Sequence, residues 1–461
     1  MADLPRDFSH LNTRPAENER LFKSEAIEDV INDVSERIAD SDIRRMFRQC
    51  LPNTLDTTTY AREDAEGKPD TFIVTGDIPA MWLRDSTNQV WPYLRFARRE
   101  AKLQGMLAGV VMRQVKSVNI DPYANAFVDP YVDNPPKTPH WPHGNEWHSG
   151  VWERKYELDS LAAFLRLSNG YYEATGDVQP FDSDWRRAVE STLRVIENEQ
   201  ATMTYANVDT IHRATMPNGE AFPASQLRGL GHPAKYTGMS RNMFRPSDDE
   251  AILPYHIPAN AMTYVALGGL AKVLDVSGNS DLNIRVSKLA EKIDEGVKFH
   301  GNVYVPGHEK MYAYEVDGRG SQLLMDDPNV PSLLSLPYLG YGDKNSKLYR
   351  NTRDYILSDE NPYYARGKWS GLTSPHTGEM SHFWPIATIM QALTSDSDSE
   401  IRECLKTLKE THDGTFFVHE SINVNDASDY TRPWFGWANT LFGELILDLA
   451  ERKPELLSEK F

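Results

Sequence analysis

HIPANAMTYVALGGLAKVLDVSGNSDLNIRVSKLAEKIDEGVKFH (256–300) reads as two helical stretches, near 256–275 and 281–300, joined by the short polar link DVSGNSD (275–281). Helical spacing recurs along the chain. Ile27, Val30, Ile31, Val34 and Ile38 follow the 3-4-7 pattern of an amphipathic helix within 25–50. Further helices are expected near 86–98, 101–118, 156–176, 183–204, 330–340, 345–358, 381–394, 398–411 and 434–451. A second short link, SDSDS (395–399), joins another pair, while the long aromatic-rich loops 119–155 and 205–250 keep other pairs apart. About twelve helices in six hairpins predict an all-α chain whose two helical rings close into a toroid, an (α/α)6 barrel, with the long loops at one mouth. TFIVTG (71–76), VDTIHRAT (208–215) and NVYVPG (302–307) predict small β hairpins within those loops. No Pro/Ser/Gly linker or low-complexity tract interrupts the chain, so a single domain over 1–461 is expected.

Composition narrows the function classes. The chain has 461 residues and a net charge of −18. That charge opposes nucleic-acid binding, which needs a basic face, and opposes attraction to an anionic membrane surface. No stretch approaches the roughly 18 apolar residues of a bilayer span. Cys50 and Cys404 are the two cysteines, too few for a disulfide framework or a Cys-based zinc site. The N-terminus has no apolar leader segment and the chain carries no Asn-x-Ser/Thr sequon, which leaves a cytoplasmic protein, or a secreted one with its signal removed. A monomer is expected. The aromatic content of 10 Trp, 21 Tyr and 17 Phe is concentrated beside Asp, Glu, His and Arg in Pro/Gly-bounded loops. Rings that stack on pyranose faces, next to charged groups that hold hydroxyls, are what a sugar site requires.

Four segments carry candidate chemistry. In GDIPAMWLRDSTNQVWPYL (76–94), Arg84 and Asp85 stand at a helix start as a pair for sugar hydroxyls, with Trp82 as a wall; Asp85 also suits a helix cap. HWPHGNEWHSGVWERKYELDS (140–160) offers His140, Trp141 and Glu146 as ligand contacts. Its histidines lack the i, i+4 spacing of a zinc helix, so no metal is expected. Tyr156, Glu157 and Asp159 open the next helix, Asp159 as a cap or packing residue as readily as a ligand contact.

FRPSDDEAILPYHIPANAM (244–262) sets Asp248 and Asp249 side by side among apolar residues. Like-charged neighbours and apolar walls raise a carboxyl pKa and make a general acid, with Arg245 steadying the other carboxylate. GLTSPHTGEMSHFWPIATIMQAL (371–393) contributes Ser374, His376 and Glu379; FFVHESINVNDASDYTRPWFGWANTLFGEL (416–445) contributes His419, Glu420 and Trp434. Two carboxyl candidates from separate loops, ringed by aromatics, match the needs of glycosidic hydrolysis, in which one acid protonates the leaving oxygen and a base or nucleophile acts across the ring.

DIPAMWLRDSTNQVWPYL, SRNMFRPSDDEAILPYHIPAN, TSPHTGEMSHFWPIATIMQALT and FVHESINVNDASDYTRPWFGWAN, spread over 77–439, resemble the hallmark blocks of glycoside hydrolase family 125, the exo-α-1,6-mannosidases. The resemblance implies an (α/α)6 barrel, removal of terminal α-1,6-linked mannose from an α-mannoside oligosaccharide or glycan, inversion at the anomeric carbon, and no metal or other cofactor. It implies that Asp248 or Asp249 is the general acid, Asp248 being preferred, and that Glu420 is the base. Arg84 and Asp85 would line the −1 mannose pocket. The rival readings are another (α/α)6 carbohydrate-active enzyme, such as a glucoamylase-like hydrolase or a glycan phosphorylase, and a non-catalytic glycan-binding protein.

Overall fold

Val30, Ile31 and Val34 are buried along α1 (Glu25–Arg37), as their spacing predicts. The structure is a computed structural model and describes residues 13–133, 150–200 and 232–461. The helices that follow are α2 (Ser41–Cys50), α3 (Leu83–Val90), α4 (Ala101–Ile120), α5 (Leu158–Thr175), α6 (Ser183–Asn198), α7 (Ile257–Val276), α8 (Asn283–His300), α9 (Lys347–Ile356), α10 (Pro385–Leu393), α11 (Asp398–Glu410), α12 (Gly436–Arg452) and α13 (Pro454–Leu457).

Three expected helices differ. The stretch 25–50 is two helices, because Ile38 turns to extended backbone and the Asp40 carboxylate accepts from Asp42 N–H and Ile43 N–H, capping α2. The stretch 86–98 is α3 followed by a 3-10 helix over Trp91–Arg99, since Pro92 lacks the N–H that α-helix continuation needs. The stretch 330–340 forms turns and no regular helix. Pro331 and Pro337 interrupt it, and the Ser332 and Ser335 side chains hydrogen-bond locally to the backbone in competition with a helical ladder.

Small antiparallel sheets fill the connections. Thr59–Glu63 pairs with Pro69–Ile73, and Asn302–Val305 with Glu309–Tyr312, at two of the expected hairpins. The third, 208–215, lies outside the described residues. Met81–Trp82, Ala126–Phe127 and Val151–Glu153 form a three-stranded sheet, as do His382–Phe383, Ser421–Asn423 and Asp426–Thr431.

One contiguous apolar cluster runs from Phe22 to Leu457. At its centre α3 packs against α5 and α12, α5 against α7, and α10 against α12. The turns of 331–341 lie beside α7 and α12: Tyr341 meets Tyr264 edge to face, and Tyr338 donates to Glu444 at 3.0 Å. α7 is 20 residues long and apolar enough to cross a membrane, which the sequence reading did not anticipate. Within the fold 67% of its apolar window is buried, against α5 and α8.

Candidate active site

Short strands or bridges lead directly into the central helices, and this places side chains at one set of helix ends. Trp82 ends a strand and caps α3, Trp384 caps α10 after the strand His382–Phe383, and Phe435 caps α12 after bridging Gly76. The N-terminal ends of α3, α10 and α12 therefore converge on a cavity of about 140 Å³. Trp82, Trp384 and Trp437 supply aromatic wall; Arg84, Asp85, Asp248, His376, Glu420 and Arg432 supply charge. The indole N–H groups of all three tryptophans, and Asp85 Oδ2, lack a protein hydrogen-bond partner. Buried donors and acceptors seldom stay unpaired, so these atoms suit a polyhydroxylated guest.

Asp248 sits in a tight loop. Arg245 N–H donates to the Asp249 carbonyl at 2.7 Å, and Asp248 N–H donates to the Arg245 carbonyl at 2.9 Å. This turn holds Asp248 at φ 66° and points its carboxylate into the cavity. Asp249 faces away: its carboxylate accepts from Ser247 at 3.2 Å and meets His376 Nδ1 at 3.3 Å. Arg245 does not steady either carboxylate with its side chain, contrary to expectation. Its guanidinium donates to buried Glu315 at 2.6 Å, and that carboxylate also accepts from Ile252 N–H and Leu253 N–H. The stronger buried partner wins, and Arg245 shapes the loop through its backbone.

Across the cavity Glu420 accepts from Thr431 Oγ1 at 3.0 Å and from Arg432 at 3.3 Å. Arg432 is anchored in turn by Asp77 at 2.8 Å. These bonds hold Glu420 as an oriented carboxylate with 7% exposure, as a base requires.

Around Arg84 the charge is crowded. Its guanidinium donates to Glu157 at 2.6 Å, Asp159 at 3.1 Å and Asp248 at 3.4 Å, and lies 3.3 Å from Asp85. Burial pushes Asp85 up to about 6, aided by the charge of Asp248 and opposed by Arg84. Burial also drives Glu157 well above the carboxylate range. Asp248, against its own burial, is held below that range by a hydrogen bond from Glu157 and by Arg84, Lys155 and His376. Within the Glu157–Asp248 pair the raised pKa therefore falls on Glu157 and not on Asp248. His376 is pushed up to about 9, against burial, by the Asp249 hydrogen bond and the charges of Asp248, Asp249 and Glu420.

Other expected residues stand at one remove. Ser374 caps the turn carrying His376 and donates to Asp327 at 3.2 Å. His419 stacks on Tyr430 at 3.7 Å, and burial lowers it to about 4, so it is a neutral ring outside the cavity lining. Trp434 also lies outside the lining; its indole donates to Thr57 at 3.1 Å. Glu379 is exposed and faces His382 Nδ1 at 3.0 Å, while Asp429 faces the other ring nitrogen at 3.4 Å. These three are the metal-compatible group among the described residues, with the two carboxylates at opposite ring nitrogens. His140, Trp141 and Glu146 lie outside the described residues. Missing from the sequence reading of the site are Asn125, Glu153 and Lys155 behind the cavity. Trp384 and Arg432 stood among the charged and aromatic groups of the segments singled out, whereas Trp437 stood within one unmarked.

A family model described as metal-independent α-mannosidase (GH125) matches residues 40–447. The chain belongs to glycoside hydrolase family 125. As a family 125 member it is 43% identical to the meiotically up-regulated gene 157 protein of Schizosaccharomyces pombe, over 97% of this chain and 90% of that one. A solved structure of a metal-independent α-mannosidase from Streptococcus pneumoniae, in a non-productive complex with α-1,6-mannobiose, is 37% identical with a TM-score of 0.83, covering 94% of this chain and 100% of that one. More remotely, a bacterial glucoamylase solved with acarbose shares the fold at 12% identity and a TM-score of 0.53, over 93% of this chain and 59% of that one. The family 125 chain is thus a helix-rich glycosidase of glucoamylase-like fold.

Proposed function

We propose that this α-mannosidase removes terminal, non-reducing α-1,6-linked mannose from oligosaccharides or glycans, with inversion. The observation that carries the reading is that Asp248 and Glu420, from distant segments, face one tryptophan-walled cavity at converging helix N-termini. Asp248 protonates the departing O6 while Glu420 takes a proton from the water that attacks C1 on the opposite face. Asp248 is chosen over Asp249 because its carboxylate lines the cavity, whereas Asp249 is not part of the lining and bonds Ser247 and His376. Trp82, Arg84 and Asp85 hold the −1 mannose. The solved complex of the Streptococcus pneumoniae relative with α-1,6-mannobiose supports the linkage. The ring of neighbours α12–α3–α5–α7, with 331–341 beside α7 and α12, supports closure as an (α/α)6 barrel acting as one catalytic domain.

Proton NMR of α-1,6-mannobiose digestion tests linkage and stereochemistry together. The expected first product is β-mannose, with mannose and no mannose 1-phosphate formed in phosphate buffer. First appearance of α-mannose would overturn inversion, and an inert disaccharide would overturn the linkage. Activity is expected to be unchanged by EDTA, measured in the same assay.

A further inference from the structure

Behind the cavity, one amide nitrogen is shared by three acids. Asn125 Nδ2 donates to Glu153 Oε2 at 3.1 Å, Glu157 Oε1 at 3.1 Å and Asp248 Oδ1 at 3.2 Å. An amide has two hydrogens for these three acceptors. Glu157 Oε2 further accepts from Arg84 at 2.6 Å and Ser160 at 3.0 Å. The Glu157 side chain is fully buried, whereas that of Asp248 is 19% exposed and reaches the cavity.

The charged groups facing this pair are Arg84 and Asp85 from α3, Asp159 from α5, Glu153 and Lys155 from the strand end, His376 from the 375–377 turn, and Glu420 across the cavity. Asp85, Glu153, Glu157, Asp159 and Asp248 make five carboxyls, against Arg84 and Lys155 within ion-pair distance of them and the more distant charges of His376 and Arg432. An uncompensated buried carboxylate costs far more than protonating it, so the cluster must retain a proton.

Resting on the assignment of Asp248 as the acid, we propose that Glu157 stores the catalytic proton and hands it to Asp248, which delivers it to the glycosidic oxygen. In the resting pair the proton lies on Glu157 and Asp248 accepts the hydrogen bond. As substrate fills the cavity and excludes water, the proton crosses to Asp248. The C1–O6 bond breaks with its electron pair on O6, which takes the proton from Asp248 and leaves as a neutral alcohol. Water oxygen bonds to C1 and gives its proton to Glu420. The pair has then lost one proton and Glu420 has gained one, and exchange with solvent through the open cavity restores both. Glu157 is a positioning residue: it touches Asp248 and not the sugar. The pKa directions given above agree with this division, the buried group holding the proton and the exposed one releasing it.

The test compares two substrates in wild type, E157Q and E157D. α-1,6-Mannobiose needs a protonated leaving group; α-mannosyl fluoride does not, and relies on Glu420 alone. At pH 7, E157Q is expected to lose at least about a hundredfold in kcat/KM on mannobiose and several-fold at most on the fluoride. The alkaline limb of its mannobiose profile is expected to move at least about one pH unit lower, because Asp248 is left beside Arg84 and Lys155 without a proton store. E157D, which keeps a carboxyl, is expected to recover part of both losses. An unmoved alkaline limb in E157Q, or equal losses on both substrates, would overturn the proposal. A wild-type enzyme that cleaves the fluoride but leaves α-1,6-mannobiose intact would instead overturn the substrate assignment.

Discussion

Asp248 adopts the left-handed region, φ 66°, where Asp is tolerated better than most residues but still at a cost. The adjacent Asp249 meets His376 and Ser247 outside the cavity lining, so two identical neighbours have different fates. Asp248→Asn is expected to lower kcat/KM on α-1,6-mannobiose by about 10²–10⁴-fold, whereas Asp249→Asn, acting through His376, loses less than about tenfold. Steady-state kinetics of the two variants decide the matter, and equal losses would reopen the choice of acid. Glu420→Ala removes the base at the end of the Thr431 and Arg432 bonds. Its turnover is expected to fall by at least about 10²-fold with mannobiose still bound, as calorimetry would detect. Wild-type turnover in that variant would disprove the base assignment.

At the scale of elements, the site is built where helices begin. α3, α10 and α12 start at the cavity wall, and α5 starts at Glu157 just behind it. The partial positive charge of helix N-termini offsets some of the carboxyl crowding that Arg84 alone cannot neutralise. The approach of α12 depends on Gly76, which bridges Phe435 at φ 139°; a Cβ there would overlap the Trp434 carbonyl oxygen. Gly76→Ala is therefore expected to destabilise the fold by at least about 1–3 kcal/mol and to reduce activity, both measurable by urea unfolding and kinetics. Leu267, fully buried in α7, is remote from this chemistry. Leu267→Ala is expected to cost about 2–5 kcal/mol while leaving KM unchanged, a contrast that separates core from site.

For the whole molecule, buried titratable groups set how stability varies with pH. Asp326, driven up by burial to about 8, and His376, at about 9, both have folded pKa values above their ordinary ones of 3.8 and 6.5. The folded state therefore holds protons that the unfolded chain releases, and this stabilisation is lost progressively from pH 3.8 to 8 for Asp326 and from pH 6.5 to 9 for His376. His419 works in the other direction, since burial lowers it from 6.5 to about 4 and stability falls as pH drops through that window. Between about pH 4 and 6.5 the Asp326 and His419 effects oppose each other, and the melting temperature is expected to decline from about pH 6.5 toward pH 9 in calorimetric scans. A flat profile from pH 6 to 9 would contradict the burial of Asp326 and the pairing of His376 with its acidic neighbours.

Helix content was legible in the sequence because apolar spacing of 3-4-7 is a local property, and it placed α4, α5 and α7 through α12 to within a few residues of their ends, and the starts of α1 and α6. The breaks at Asp40, Pro92 and Pro331 were written there too, as a cap and two missing donors, yet the periodic pattern ran across them. Trp82, Arg84, Asp248 and Glu420 could be singled out because acids and rings in short Pro/Gly-bounded loops are chemically conspicuous one segment at a time. The role of Glu157 could not be read that way: at a helix start it looks like an ordinary cap. Only folding brings it under Asn125, Arg84 and Asp248, out of water, where a carboxyl keeps its proton. The same holds for Asp248 against Asp249, and for Arg245 against Glu315. Sequence dictates which groups are available, whereas distance and burial, fixed by packing, decide their charge and partners.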